Sequence, residues 1–233
     1  MSPPIDGRAA LGGLRGRLIV SCQPVVGGPM DSPRIVAALA LAAIAGGAAG
    51  LRIEGLANLR AVRAATDVPI IGLIKRTEPG TDVFITPLPA DVAALCEAGA
   101  DIVAFDATQR PRPAPVQALV AAAHAAGALA MADLAAEADA VAALAAGVDI
   151  LGSTLSGYTG GAMPEAPDLA LVAALARFGC PVFAEGRYRT PAQAGAAMAA
   201  GAFAVVVGSA ITRVEHISGW FAEAVRVAAG RPP

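Results

Sequence analysis

Lys75 is the one lysine of this 233-residue chain, which carries sixteen arginines. Arginine serves wherever only a positive charge is needed. It cannot serve as a proton acceptor, because the guanidinium stays protonated in proteins. A chain that uses arginine for every other cation and keeps Lys75 points to chemistry at that amine. The residue closes an apolar run, Ile70-Ile71-Gly72-Leu73-Ile74-Lys75, that reads as a buried strand. Chance survival of one lysine is the plain alternative, and the place at a strand end favours catalysis. Other polar groups stand at the ends of similar runs. They are Gln23, Arg52 with Glu54, Asp106 with Thr108, Asp133, Ser153 with Thr154, Glu185 and Ser209.

The elements that must bring these ends together are legible from patterning. The chain is 56% hydrophobic and 15% charged, against a usual charged share of about 25%, so it can bury a large core. Aromatics supply only 4%, which leaves Ala, Val, Leu and Ile to fill that core. Apolar runs alternate with alanine-rich helical stretches about every 20–35 residues, the size of one βα step. Eight runs read as strands: Leu18–Gln23, Gly50–Gly55, Ile70–Lys75, Ile102–Asp106, Leu129–Asp133, Ile150–Thr154, Val182–Glu185 and Ala204–Gly208. Helices stop in Ala-Gly pairs at Gly99, Gly147 and Gly201, where a left-handed cap turns the chain into the next strand. Ser32-Pro33 and Thr190-Pro191 signal helix starts, with Asn58 and Asp168 as further N-caps.

Eight such units predict an α/β fold, a single (β/α)8 barrel over residues 1–233, near the typical size of about 250 residues. Residues 1–16 form an N-terminal extension, helical or loosely held, and Pro232-Pro233 is expected to be loose as well. A doubly wound sheet is the rival, but no GxGxxG follows the first strand. In the barrel, the carboxyl ends of the strands converge on one pocket. Glu185-Gly186-Arg187 and Gly208-Ser209-Ala210-Ile211-Thr212-Arg213 follow strands seven and eight. Backbone N–H groups there make the usual phosphate seat of this architecture. Glycines serving only tight turns are the alternative.

Composition also excludes partners. A net charge of −2 without a basic block argues against nucleic acid. Cys22, Cys96 and Cys180 are far apart and form no CxxC pair, which fits free thiols in a reducing cytoplasm. His124 and His216 lack metal-ligand spacing, so no metal is expected. Residues 1–17 lack the apolar core of a signal peptide. The apolar stretch Ile35–Leu51 is at the short limit for a membrane span and is broken by Gly46, Gly47 and Gly50. It reads as a helix running into a strand. Trp220 and Phe221 leave two placements open, a satellite core against the barrel or the surface of a homodimer.

A family resemblance emerges from the motifs taken in order. They are Leu18–Pro24, Leu51–Gly55, Ile70–Arg76, Asp106–Thr108 with Arg110–Pro113, Thr154–Thr159 (TLSGYT), Ala184–Tyr188 and Val207–Arg213. Together they resemble the N-acetylmannosamine-6-phosphate 2-epimerase family over nearly the whole chain after residue 17. TLSGYT and GSAITR are the most telling. The resemblance implies a (β/α)8 barrel that interconverts N-acetylmannosamine 6-phosphate and N-acetylglucosamine 6-phosphate in amino sugar and sialic acid catabolism, with no metal or organic cofactor. It implies Lys75 and Glu185 as catalytic residues and Gln23, Arg52 and Asp133 as sugar contacts. Gly186, Arg187, Gly208 and Ser209, continuing to Arg213, match the phosphate site. One departure is plain. Asp133 is followed by Leu134-Ala135-Ala136 where similar proteins often carry a small polar pair, so its supporting hydrogen bonds are expected to differ.

The chemistry sets requirements of its own. Inverting C2 of a 2-acetamido sugar breaks a C–H bond that is acidic only beside an open-chain aldehyde. Lys75 must be neutral to take that proton, and an ordinary lysine, near pKa 10.4, is almost wholly charged at neutral pH. Burial and the neighbouring Arg52 would both lower it. Arg52 and protonated Lys75 would then stabilise the enediolate. One base with a turning intermediate and two bases on opposite faces, Lys75 and Glu185, both remain open. Two other readings stand beside this one, a Schiff-base aldolase on the same lysine and a non-catalytic sugar-phosphate sensor. A metal-dependent phosphopentose epimerase lacks its His and Asp ligand set here.

Overall fold

A computed structural model describes residues 11–160 and 163–230. Eight parallel strands close a barrel in chain order. They are β1 (Leu18–Cys22), β2 (Gly50–Glu54), β3 (Ile70–Leu73), β4 (Ile102–Asp106), β5 (Leu129–Asp133), β6 (Ile150–Gly152), β7 (Val182–Glu185) and β8 (Ala204–Val207). The outer helices are α1 (Pro33–Ala45), α2 (Leu56–Arg63), α3 (Pro89–Glu97), α4 (Val116–Ala125), α5 (Glu137–Ala145), α6 (Leu169–Ala176) and α7 (Pro191–Ala199). After β8 come a short α8 (Ser209–Thr212) and a longer α9 (Val214–Ala228). The expected (β/α)8 barrel is the observed one. Among the described residues no helix is long and apolar enough to cross a membrane.

Strand periodicity sorts the side chains into two cores, because residues i and i+2 share a face. Ile71, Leu73, Ile102, Met131, Phe183 and Val206 fill the barrel lumen. Val20, Leu51, Val103, Leu151 and Val205 face outward and pack under the helices. Counting on by two from the lumen residues reaches Lys75, Asp133 and Glu185, so the lumen face of these strands ends in ionisable groups at the carboxyl end.

Leu14 belongs to the lumen core and is 1% exposed. A Cβ on Gly50 would come within 2.7 Å of its Cδ2, so a larger residue at that strand position would have to displace the Leu14 side chain. The Gly16 N–H donates to Phe203 O at 2.8 Å. This part of the expected extension is therefore held, with residues 11–13 helical. Residues 1–10 and Pro232–Pro233 lie outside the described residues.

Helix starts follow the expected chemistry at three places. The Ser32 hydroxyl accepts from the Ile35 N–H, that of Thr190 from Gln193, and the Asp168 carboxylate from Leu171. Asn58 does not cap. Gly55 occupies that position, and Asn58 lies inside α2 with its amide donating to Glu54 O at 3.0 Å. Five strands end short of the expected bounds, β1, β2 and β8 by one residue and β3 and β6 by two, at Leu73 and Gly152. For β3 the cause is visible. Its register with β4 stops at Gly72↔Val103. Beyond it the segment Phe84–Thr86 returns between the two strands. Ile85 bridges antiparallel to Lys75 and accepts from the Asp106 N–H at 3.1 Å.

The C-terminal helix overturns the satellite-core placement. None of its residues is buried, and Phe221 and Val225 are 71% and 68% exposed. Its main packing is onto α8 rather than onto the barrel wall. Trp220 is half-buried, with Arg189 stacked over its ring at 4.9 Å.

Candidate active site

The carboxyl ends of the strands surround a cavity of about 450 Å³. Lys75 enters it from the β3 side. Lys75 is an exposed residue that lines the cavity, so its amine is only partly withdrawn from solvent. Desolvation holds the amine below the ordinary lysine value, and the charges of Arg52 and Arg213 push the same way. Glu54 and Glu185 oppose the shift more weakly. Its backbone is fixed on both flanks. The Lys75 N–H donates to Glu54 Oε1 at 3.3 Å, and the Arg76 N–H to Phe84 O at 2.9 Å.

Glu185 ends β7 opposite, with 14% of its side chain exposed. Burial raises its pKa to about 7; Arg52 works against that rise, and the neighbouring Asp133 adds to it. Arg52 sits beneath them, 1% exposed. Its guanidinium bonds Asp133 through both terminal nitrogens, at 3.1 and 2.6 Å, and reaches Glu185 Oε2 at 2.7 Å. A cation this deeply buried is tolerable only with such paired partners. Its charge is thereby already balanced by two carboxylates.

Asp133 is 0% exposed and does not line the cavity. Its support comes from Arg52 and from the Thr154 hydroxyl, which donates to Asp133 Oδ1 at 2.6 Å. The same hydroxyl also lies within donating reach of Glu185 Oε2, at 3.2 Å, which favours the charged form of that carboxyl. Ser153 fixes the same carboxylate through the backbone. Its hydroxyl accepts from the Glu185 N–H at 3.0 Å and donates to Glu185 O at 2.9 Å.

Of the other expected residues, Gln23, Gly186, Gly208, Ser209 and Arg213 line the cavity. The Gln23 Oε1 atom is buried without a hydrogen-bond partner, and its amide nitrogen donates to Ser21 Oγ at 2.9 Å. Arg213 donates through Nε to Gln23 O at 2.8 Å. Arg187 also lines the cavity, but much of its guanidinium is engaged. Nε donates to Ala166 O at 2.8 Å, Nη1 donates to Ser156 O, and Tyr158 lies under it at 5.6 Å. It ties down the loop after β6. Asp106 is 0% exposed and paired with Arg110 and Arg112, so it braces the β4 loop outside the cavity.

Sequence reasoning named Thr154 among the polar strand ends but gave it no role, although the inward period of two from Ile150 through Gly152 leads to it. Phe84, His216 and Trp220 also line the cavity. No local signal places them there, since they come from a long loop and from α9.

Burial pushes the Cys22 thiol up to about 12 and those of Cys96 and Cys180 to about 11. All three are free and poorly suited to act as thiolates. Among the described residues no group of three or more His, Cys, Asp or Glu side chains is placed to hold a metal ion.

Comparison with known proteins is consistent along the chain. The family described as "Putative N-acetylmannosamine-6-phosphate epimerase" matches residues 36–227. A Yersinia pseudotuberculosis protein named "Putative N-acetylmannosamine-6-phosphate 2-epimerase" is 59% identical over 213 residues, covering 91% of each chain. The solved N-acetylmannosamine-6-phosphate 2-epimerase from Clostridium perfringens is 38% identical. It superposes with a TM-score of 0.89 over 91% of this chain and 95% of that one. A deoxyribose phosphate aldolase from Aeropyrum pernix, 20% identical with a TM-score of 0.65 over 92% of this chain and 96% of that one, shares the fold alone.

Proposed function

The chain belongs to the N-acetylmannosamine-6-phosphate epimerase family, and on that premise we propose that it interconverts N-acetylmannosamine 6-phosphate and N-acetylglucosamine 6-phosphate without a cofactor. The observation that carries the reading is the pairing across one cavity of an amine held below its ordinary pKa and a carboxyl raised toward neutrality. Groups tuned toward the working pH from both sides are what general acid–base catalysis requires.

Glu185 shuttles the proton of ring opening and then faces the C1 oxygen. Neutral Lys75 removes the C2 proton, which the new aldehyde has made acidic, and an enediolate forms. Return of the proton to the other face of C2 completes the inversion. Either Lys75 returns it after the intermediate turns, or Glu185 delivers it from the opposite side. Positive charge for the enediolate comes mainly from protonated Lys75, because Arg52 is committed to two carboxylates. Arg52 and Asp133 then act by fixing Glu185, and Gln23, which lines the cavity, contacts the sugar.

The phosphate is seated by the backbone at Gly186, Gly208 and Ser209, with Arg213 as the cation facing it. Arg187 closes the loop over that end. The proposed reaction belongs to amino sugar and sialic acid catabolism, and the free thiols fit a reducing cytoplasm. The exposed apolar face of α9 supports a homodimer. Entry of solvent deuterium at C2 of N-acetylmannosamine 6-phosphate, followed by NMR, tests the reaction. No exchange, or a borohydride-trapped adduct on Lys75, would replace it with a sensor or an aldolase.

A further inference from the structure

Thr86 takes no part in the chemistry assigned above. It is 0% exposed and holds a φ of 45°. β-Branched residues rarely enter that left-handed region, whereas glycine does so freely. A threonine held there is kept in place by its own bonds. Its hydroxyl accepts from the Ile74 N–H at 3.1 Å and donates to Ala104 O, on β4, at 2.7 Å. Its own N–H donates to Ile74 O at 2.7 Å. The direct β3–β4 ladder has already stopped at Gly72↔Val103. One side chain thus ties the residue before Lys75 to the neighbouring strand across the gap.

We propose that Thr86 is the positioning residue for Lys75, its hydroxyl stitching Ile74 to Ala104 so that the amine enters the cavity in one direction. The flank on the other side is held by Glu54, which accepts from the Lys75 N–H. Arg52, Arg213, Glu54 and Glu185 are the charged groups around the amine. Its ionisation depends on staying among them and within the walls. A small drift of the backbone at Ile74 changes both the ionisation and the approach to C2. The kinetic consequence rests on the epimerase reading; the effect on the amine does not.

Three variants separate the roles. Thr86→Val keeps the shape and removes the hydroxyl, Thr86→Gly removes the side chain and accepts the backbone angle, and Thr86→Ser keeps the hydroxyl. In the Val and Gly variants kcat for C2 epimerisation is expected to fall by about 10–100-fold, with KM little changed, while Ser restores it. Lys75 is the only side-chain amine. Acetylation with acetic anhydride across pH, read by peptide mass, therefore follows its titration without substrate. The midpoint should rise toward that of free lysine in Val and Gly and stay in place in Ser. If Val does not fold by circular dichroism, Gly decides. A folded Val or Gly variant with parental kcat and parental labelling midpoint overturns the proposal, as does a Ser variant as impaired as Val. If the parent itself shows no C2 exchange, the epimerase reading falls while the labelling still decides the role of Thr86.

Discussion

Arg52 Nη1 lies 2.7 Å from Glu185 Oε2, and the same guanidinium holds Asp133 at 2.6 Å, on a side chain 1% exposed. The Glu185 carboxyl is thus suspended from a buried cation rather than from the loop that follows it. Replacing Arg52 by Met leaves two carboxylates buried without their counter-ion. Breaking a buried pair in this way costs about 3–5 kcal/mol. Urea unfolding should show the loss at neutral pH, and it should shrink on acidification, when protonation removes the stranded charges.

Lys75→Ala and Lys75→Arg should both abolish C2 deuterium exchange while circular dichroism stays native. General-base removal costs about 10²–10⁴-fold, and arginine cannot restore the loss because it does not deprotonate. A near-normal rate in Lys75→Arg would remove the amine from the mechanism.

The pH dependence of kcat/KM should show an acidic limb from Lys75. In the proposed mechanism the neutral amine is the active form, so activity should fall as pH drops through its lowered pKa, which lies below the 10.5 of an ordinary lysine. Bound phosphosugar adds negative charge nearby and should move the limb upward in kcat relative to kcat/KM. A limb at the free-lysine value in both profiles would contradict the environment described.

Glu185→Gln should lower the rate by about 10²–10⁴-fold with substrate binding largely kept. It should also change stability in a defined window. The folded pKa of about 7 lies above the ordinary 4.5, so the folded state holds the proton more tightly than the unfolded chain. The contribution is present below pH 4.5 and is lost as pH rises through 7. Unfolding curves across that range should slope downward in the parent and flatten in the variant.

Phe221→Glu places a charge on the exposed face of α9. Sedimentation should show the variant shifted toward monomer relative to the parent, with C2 exchange at unchanged strand ends as the control. A parent that is monomeric at every concentration would leave that face without a second copy.

Much of the site was legible because its signals are local. The period of two along a strand places Lys75, Asp133 and Glu185 on the lumen side at its carboxyl end, whatever the neighbouring strands do. The excess of arginine over lysine marked Lys75 before any geometry. The departure after Asp133, where Leu134-Ala135-Ala136 replaces a polar pair, was legible too, but not its resolution by Arg52 and Thr154. Those partners lie 81 and 21 residues away in the chain.

The order of runs and turns by itself determined the barrel, the ring of polar ends and the amine that stands among them, since each depends on repeats a few residues long. Only the folded chain decided that Asp133 lies beneath the cavity, that Phe84–Thr86 wedges between β3 and β4, that Arg187 binds the loop after β6, and that α9 brings His216 and Trp220 to the cavity. These follow from which distant groups come within hydrogen-bond range when the barrel closes. Closure is a property of all eight strands at once.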